Sequence, residues 1–283
     1  MKKLIPCLPV VCLLIVCLLA GCSLLLPETQ TDGTLAPTFP PTETIVPTDE
    51  PLTEAPTEVP TEAPTEAPTE AQEEHSELYI PGVSVEDVIT YFNEVCLDGE
   101  YVDSGDPTVV QKWVTPIYYS IEGGYTPKDL DVIDSMVSLL NGIEGFPGIY
   151  PADEAEQANL RLHFWSLTML MEEMGSYVNG DSSDGIVHFW YNGNNELFDE
   201  DIGIRCDVDQ YLRNSVILEE IYNGLGPVQD TTLRSDSIIY QQYATPQELT
   251  DVDLLLLRLL YHPSVECGMN AEQCEAVIRE LYY

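Results

Sequence analysis

Near the middle of the chain, oxygen-bearing side chains stand at metal-ligand spacing. Glu219 and Asn223 are four residues apart, so on a helix they lie one above the other on a single face. Gly224, Gly226 and Pro227 then end the helix, and Gln229 and Asp230 follow the turn. Two groups stacked on a helix and a third brought back by a glycine turn make the layout of a metal-binding active site. The residue types decide what such a site could hold. A catalytic zinc needs three good ligands and an open position for water. One carboxylate with two amides is a poor zinc set and suits a hard cation such as calcium better, although calcium prefers more ligands. No zinc and no resident cofactor are therefore expected. The alternative for Glu219 and Glu220 is a solvated helix face or a polar network filling the site.

The elements that would position these residues can be read from periodicity. Val216, Ile217, Ile221 and Leu225 recur at helical spacing, making residues 212–224 an amphipathic helix. Ser84 caps an earlier helix reaching about residue 95, with Glu86 and Asp87 in its first turn. Residues 98–107 are turn-rich. Residues 113–121 (WVTPIYYSI) are β-branched and aromatic and read as a strand, with Pro116 marking an edge or a bulge. Thr126, Pro127 and Asp129 open a helix that runs to about Leu140. Strands are expected at 159–165, 185–191 and 202–208, with a short Met-rich helix at 166–174 stopped by Gly175. Residues 192–195 form a turn. Thr250 caps a leucine-rich helix, and a last helix covers about 270–281. This order gives an α/β domain with a mixed sheet and a central helix beneath it.

Other chemistry is sparse. His163 and His188 lie on predicted strands, in LHFW and VHFW. Each could supply a ligand or base to the central helix, or be an ordinary sheet residue. His262 sits at a helix end, where a cation suits the helix dipole, and His75 lies outside the globular part. There is no G-x-S-x-G elbow and no phosphate-binding glycine loop. Trp113, Tyr118, Tyr119, Trp165, Trp190 and Tyr191 could line a groove for sugar or peptide, though strand aromatics are more often core.

The N-terminus speaks for export. Lys2 and Lys3 precede an apolar run at 4–19, and Leu19-Ala20-Gly21-Cys22 follows. Residues 1–22 resemble a bacterial lipoprotein signal, in which Cys22 becomes the lipidated, palmitate-bearing first residue. That implies a cell-membrane protein held on the extracytoplasmic face. Residues 23–77 are rich in Pro, Thr and Glu, with TEAP-type repeats, and are too apolar-poor to fold. About fifty such residues at roughly 3 Å each would reach on the order of 150 Å, a stalk for the domain at 78–283. Cys96, Cys206, Cys267 and Cys274 would remain after processing, enough for two disulfides in three connectivities. Local spacing favours Cys267 with Cys274, leaving Cys96 for Cys206. The formal charge of −39, from 49 acids against 10 basic residues, excludes a nucleic-acid partner and a headgroup-binding surface. Membrane attachment therefore falls to the lipid.

Written out, Glu219-Glu220-Ile221-Tyr222-Asn223-Gly224-Leu225-Gly226-Pro227-Val228-Gln229-Asp230 resembles the metzincin metallopeptidase signature, H-E-x-x-H-x-x-G-x-x-H-D. Glu220 matches its general base and Gly226 its turn. Glu219, Asn223 and Gln229 stand in place of the zinc histidines. Residues 237–240 (SIIY) resemble the methionine turn with Ile239 for methionine, and Leu249-Thr250-x-x-Asp253 leading into Leu259-Leu260-Tyr261 resembles the final helix. The domain also resembles an uncharacterised bacterial lipoprotein family of unknown function. The carriers are Trp113, the 218–230 segment, 237–240 and 249–269. The first resemblance implies a zincin-like fold without its usual zinc. The functional expectation is a non-catalytic, lipid-anchored module binding a peptide or a cell-envelope component. The alternative is a hydrolase with a rearranged site using Glu220 and His163 or His188.

Overall fold

The computed structural model describes residues 12–15, 76–97, 108–174, 184–241 and 246–282. Cys22, the stalk, the rest of the leader, the turn at 98–107, the Gly175 stop and His75 lie outside the described residues. A seven-stranded, mostly parallel sheet carries the domain. Its strands are β1 (Cys12–Ile15), β2 (Lys112–Trp113), β3 (Ile117–Gly123), β4 (Ile149–Pro151), β5 (Leu160–Trp165), β6 (Gly185–Tyr191) and β7 (Glu196–Arg205). The order is β1-β6-β7-β5-β3-β4, with β2 also pairing β7. The pairs β7–β5, β5–β3, β3–β4 and β2–β7 are parallel, whereas β6–β7 and β1–β6 are antiparallel. Among the described residues the α-helices are α1 (Val85–Leu97), α2 (Pro127–Leu140), α3 (Leu167–Glu173), α4 (Gln210–Gly224), α5 (Asp251–Leu260) and α6 (Ala271–Leu281). None of the described helices is long and apolar enough to cross a membrane.

The expected strand at 113–121 is in fact two strands. Pro116 has no N–H to give a ladder, so β2 ends at Trp113 and pairs with β7, while β3 begins at Ile117 and pairs with β4 and β5. The third strand starts earlier than its apolar run, at Glu196, because its N-terminal half forms a hairpin with β6 around Asn195, whose φ is 62°. The helix expected from residue 212 starts at Gln210, where Asp209 accepts hydrogen bonds from the backbone N–H groups of Tyr211 and Leu212.

Register sorts the sheet into two faces. Leu162, Ile202 and Val187 form one cross-strand row and Leu160, Glu200 and Phe189 the next, all buried with α1, α2 and α4 in the main core. The alternate rows, Arg161-Asp201-His188 and His163-Gly203-Ile186, point to the other side, where α3 covers one end with Leu170 and Met174.

α5 is joined to the segment before it by one carboxylate. Asp253 is fully buried. It accepts hydrogen bonds from the Ser237 hydroxyl at 2.6 Å, the Thr250 N–H at 2.8 Å and the Thr250 hydroxyl at 2.9 Å, and from the Ile238 N–H at 3.2 Å. Tyr91 of α1 meets the Ser237 hydroxyl at 3.1 Å, and the Tyr222 hydroxyl of α4 donates to the Asp253 carbonyl at 3.0 Å. Truncating Asp253 leaves several buried donors without an acceptor. Asp253→Ala is therefore expected to lower unfolding free energy by about 3 kcal/mol or more in urea denaturation, and Ser237→Ala by about 1 kcal/mol.

Candidate functional site

The end of α4 is fixed by three hydrogen-bonding and steric devices. The Trp113 indole N–H donates to the Gly224 carbonyl at 3.0 Å, and the Tyr261 hydroxyl donates to the Leu225 carbonyl at 2.7 Å. These occupy carbonyls that have no partner within the helix. Gly226 follows at φ 119°, with the Gln111 carbonyl where a side chain would project, so only glycine fits. The chain then turns back through Gln229 and Asp230, both partly buried. Thr231 and Thr232 beyond them are tied to Glu94 of α1 through its carboxylate at 2.6–3.0 Å.

Within this frame the predicted positions hold three acids and two amides, with Glu220 and Asn223 buried and Glu219, Gln229 and Asp230 partly buried. Glu220 is only 2% exposed, and its carboxyl lies directly against Gly185 at the start of β6. Its Oε2 has no hydrogen-bond partner. Glu219 is partly buried beside it, Asn223 is buried one turn further on, and Asp184 and Asp230 contribute their fields. Desolvation, reinforced by Glu220, Asp230 and Asp184, raises the Glu219 carboxyl well above the ordinary range. Desolvation with Asp230 and Asp184 does the same to Glu220. The expectation of a solvated face does not hold for Glu220, and the polar filling describes it better.

A second buried acid stands beside this group, and sequence reasoning missed it. Glu200 on β7 is fully buried, points into the main core and presses on Gly224, and neither carboxyl oxygen has a hydrogen-bond partner. Desolvation, then Asp201, raises its carboxyl well above the ordinary range, with Arg161 opposing and Glu220 adding. Its neighbours Asp199 and Asp201 hid it, because a run of acids reads as a solvated loop rather than an inward strand position.

The two histidines do not join α4. His188 pairs in register with Asp201, and His163 lies across from Gly203 on β7 and Glu122 on β3, all on the sheet face turned away from α4. His163 has its own partners there: Nδ1 meets Glu122 at 2.7 Å, Nε2 meets Asp201 at 3.0 Å, and the ring stacks on Trp165 at 4.3 Å. Burial works against its charge, but the hydrogen bonds to Asp201 and Glu122 prevail and raise its pKa. Asp201 is opposed by burial too, yet hydrogen bonds from His163 and Arg161 bring it down to about 2. His188 is pushed down by burial. His262, expected as a helix cap, follows α5 and accepts a hydrogen bond from the Ser264 N–H at 3.2 Å.

Zinc does not fit these residues. Their donors at the ligand positions are carboxylate and amide oxygens, and among the described residues no three His, Cys, Asp or Glu side chains form a group able to hold a metal ion. The four cysteines are thiols. Cys96 and Cys274 are buried on α1 and α6 within each other's field, while Cys206 lies beside Gly124 at the end of β7, so Cys206 is not the neighbour of Cys96 that spacing suggested.

Fold and site together define a mixed α/β domain built around a clamped helix with an interior cluster of acids. Residues 85–280 match the family described as "Protein of unknown function (DUF2927)", and the chain belongs to it. No curated protein matches the chain.

The buried acids give a signed pH dependence. A carboxyl whose folded pKa is raised binds its proton more tightly folded than unfolded, so its effect on stability becomes unfavourable as pH rises above the ordinary glutamate value. Glu220→Gln keeps the shape and removes that ionisation. The variant is expected to be more stable than wild type at pH 8 by about 1–3 kcal/mol, with the difference vanishing towards pH 4, in urea denaturation across that range.

Proposed function

We propose that the protein is a lipid-anchored, extracytoplasmic binding module of zincin-like design that has lost the metal chemistry. It takes up a peptide or another envelope component at the cleft beside α4. The observation that carries this reading is the state of Glu220. A general base must reach a water molecule and the reacting group, whereas Glu220 is 2% exposed, packed on Gly185 and favoured in its protonated form. The replacement of all three histidine positions by Glu219, Asn223 and Gln229, with the helix, glycine turn and supporting clamps kept, supports the same reading. The rearranged-hydrolase alternative loses support because His163 and His188 are on the far side of the sheet.

The tether follows from the Leu19-Ala20-Gly21-Cys22 motif, and the stalk from the Pro/Thr/Glu composition after it. A peptide ligand is favoured by the sheet edge. β6 takes an extended segment, Cys12–Ile15, antiparallel along its outer side. This is the backbone pattern by which an edge strand accepts a foreign peptide. Cleavage before Cys22 would remove that segment and free the edge.

Two measurements test the proposal. Metabolic labelling with an alkyne fatty acid is expected to mark the wild type and not Cys22→Ala. Purified wild type and Glu220→Gln are both expected to leave a casein and peptide-library substrate intact, with or without added zinc. Bound zinc at one per chain, with chelator-sensitive cleavage that Glu220→Gln abolishes, would overturn the non-catalytic reading.

A further inference from the structure

The hydrogen-bond pattern of β6 shows which of its residues are left to meet another strand. At its start the Arg205 N–H donates to the Asp184 carbonyl at 2.8 Å, and the register continues from Gly185 opposite Ile204. Opposed residues of an antiparallel pair alternate between those that exchange both backbone hydrogen bonds and those that exchange none. Ile186, His188 and Trp190 therefore bond to β7, while the N–H and C=O groups of Val187 and Phe189 point away from it. The segment that meets them is β1, antiparallel, with Ile15 opposite Val187 and Leu13 opposite Phe189.

An edge that is to stay bare is guarded by charge, proline or a bulge. From Gly185 to Tyr191 there is no Asp, Glu, Lys, Arg or Pro, and the one irregularity, between Trp190 and Tyr191, lies at the end of the paired stretch. The side chains decide what may be added. Val187 and Phe189 are 3% and 1% exposed and belong to the main core with α4. A residue added opposite either one arrives at the margin of that core, and one added opposite His188 or Trp190 arrives on the other face of the sheet. The same alternate positions of an incoming strand thus supply the backbone hydrogen bonds and the apolar contact.

Resting on the peptide-binding reading above, we propose that the ligand is an extended peptide that joins β6 as an antiparallel strand, with apolar residues two apart opposite Val187 and Phe189, and that Cys12–Ile15 fills this place until the leader is removed. With 49 acids against 10 basic residues, the chain favours a peptide whose apolar core has basic flanks. A second copy of the chain, equally acidic, is disfavoured for the same reason.

Fluorescence anisotropy tests this on the full chain made by cell-free synthesis in detergent, which retains the leader. The probe is a fluorescein-labelled peptide of the 11–16 sequence (VCLLIV) flanked by lysines. It is expected to bind the Leu13→Pro chain, whose own segment has lost the N–H opposite Phe189, about tenfold or more tighter than the unaltered chain, where it competes with a tethered segment. With either chain, N-methylation of the probe at the residues matching Leu13 and Ile15 is expected to abolish binding, whereas N-methylation at those matching Cys12 and Leu14 leaves it in place. Equal loss from the two N-methylated probes, or equal affinity of the two chains, overturns the inference while leaving the broader peptide-binding reading intact. So does dimerisation of the Leu13→Pro chain in sedimentation without probe, which would give the edge to a second copy. No binding of this probe or of a random peptide library by either chain removes the peptide-binding reading itself.

Discussion

The hydrogen bonds from Trp113 and Tyr261 to the last carbonyls of α4 are the constraint on which the rest of the domain depends. A helix end exposes carbonyls that must find donors, and a buried end cannot use bulk water. Here the donors come from β2 and from the residue just after α5, so the sheet and the C-terminal helices are both referred to one point on α4. Lys112, next to Trp113, extends the same junction by donating from its ammonium to the Leu260 and Val265 carbonyls. Asp253 closes the circuit by tying α5 to Ser237 and, through its backbone, to Tyr222. Trp113, Gly226, Ser237, Asp253 and Tyr261 therefore have structural work to do that is independent of any reaction.

That rigidity explains how the domain carries carboxyls in its interior. Glu200 meets Gly224, and Glu220 meets Gly185. In each case a glycine provides the space that a side chain would otherwise fill, so the acid is accommodated by shape rather than by a partner charge. Such a group is tolerable when protonated and costly when ionised. The opposite face of the sheet solves the problem differently. Asp201 is shared between Arg161 at 2.6 Å and His163 at 3.0 Å, and its carboxylate stays charged. One sheet thus separates a compensated ion network from an uncompensated acid cluster.

Much of the framework was legible from sequence because its signals are local. The capping box at Thr126 and the cap at Thr250 form as the sequence implies, and the α4 stop at the glycine-proline turn is where composition puts it. The strand at Pro116 failed because propensity reads a β-rich run as continuous, whereas the ladder needs every N–H. The N-terminal half of β7 was missed because Glu196, Asp199, Glu200 and Asp201 give it a loop's composition, and its strand character comes from pairing with β6 and β5. The site was legible as positions and not as environment. Period-two alternation shows that His163 shares a face with Arg161, but which face meets α4 is set by register across four strands. Burial of Glu220 depends in the same way on Gly185, thirty-five residues away.

The burial of Glu220 bears on what this stretch of α4 can do. A metal-activated water site must keep an open coordination position, which holds the general base near solvent and ionised. Glu220 instead lies against Gly185 of β6 at 2% exposure, where desolvation favours its protonated form. To act as a general base Glu220 would have to leave its contact with Gly185 and reach a water molecule, and the clamps on the end of α4 from Trp113 and Tyr261 oppose a movement of the helix that would let it do so.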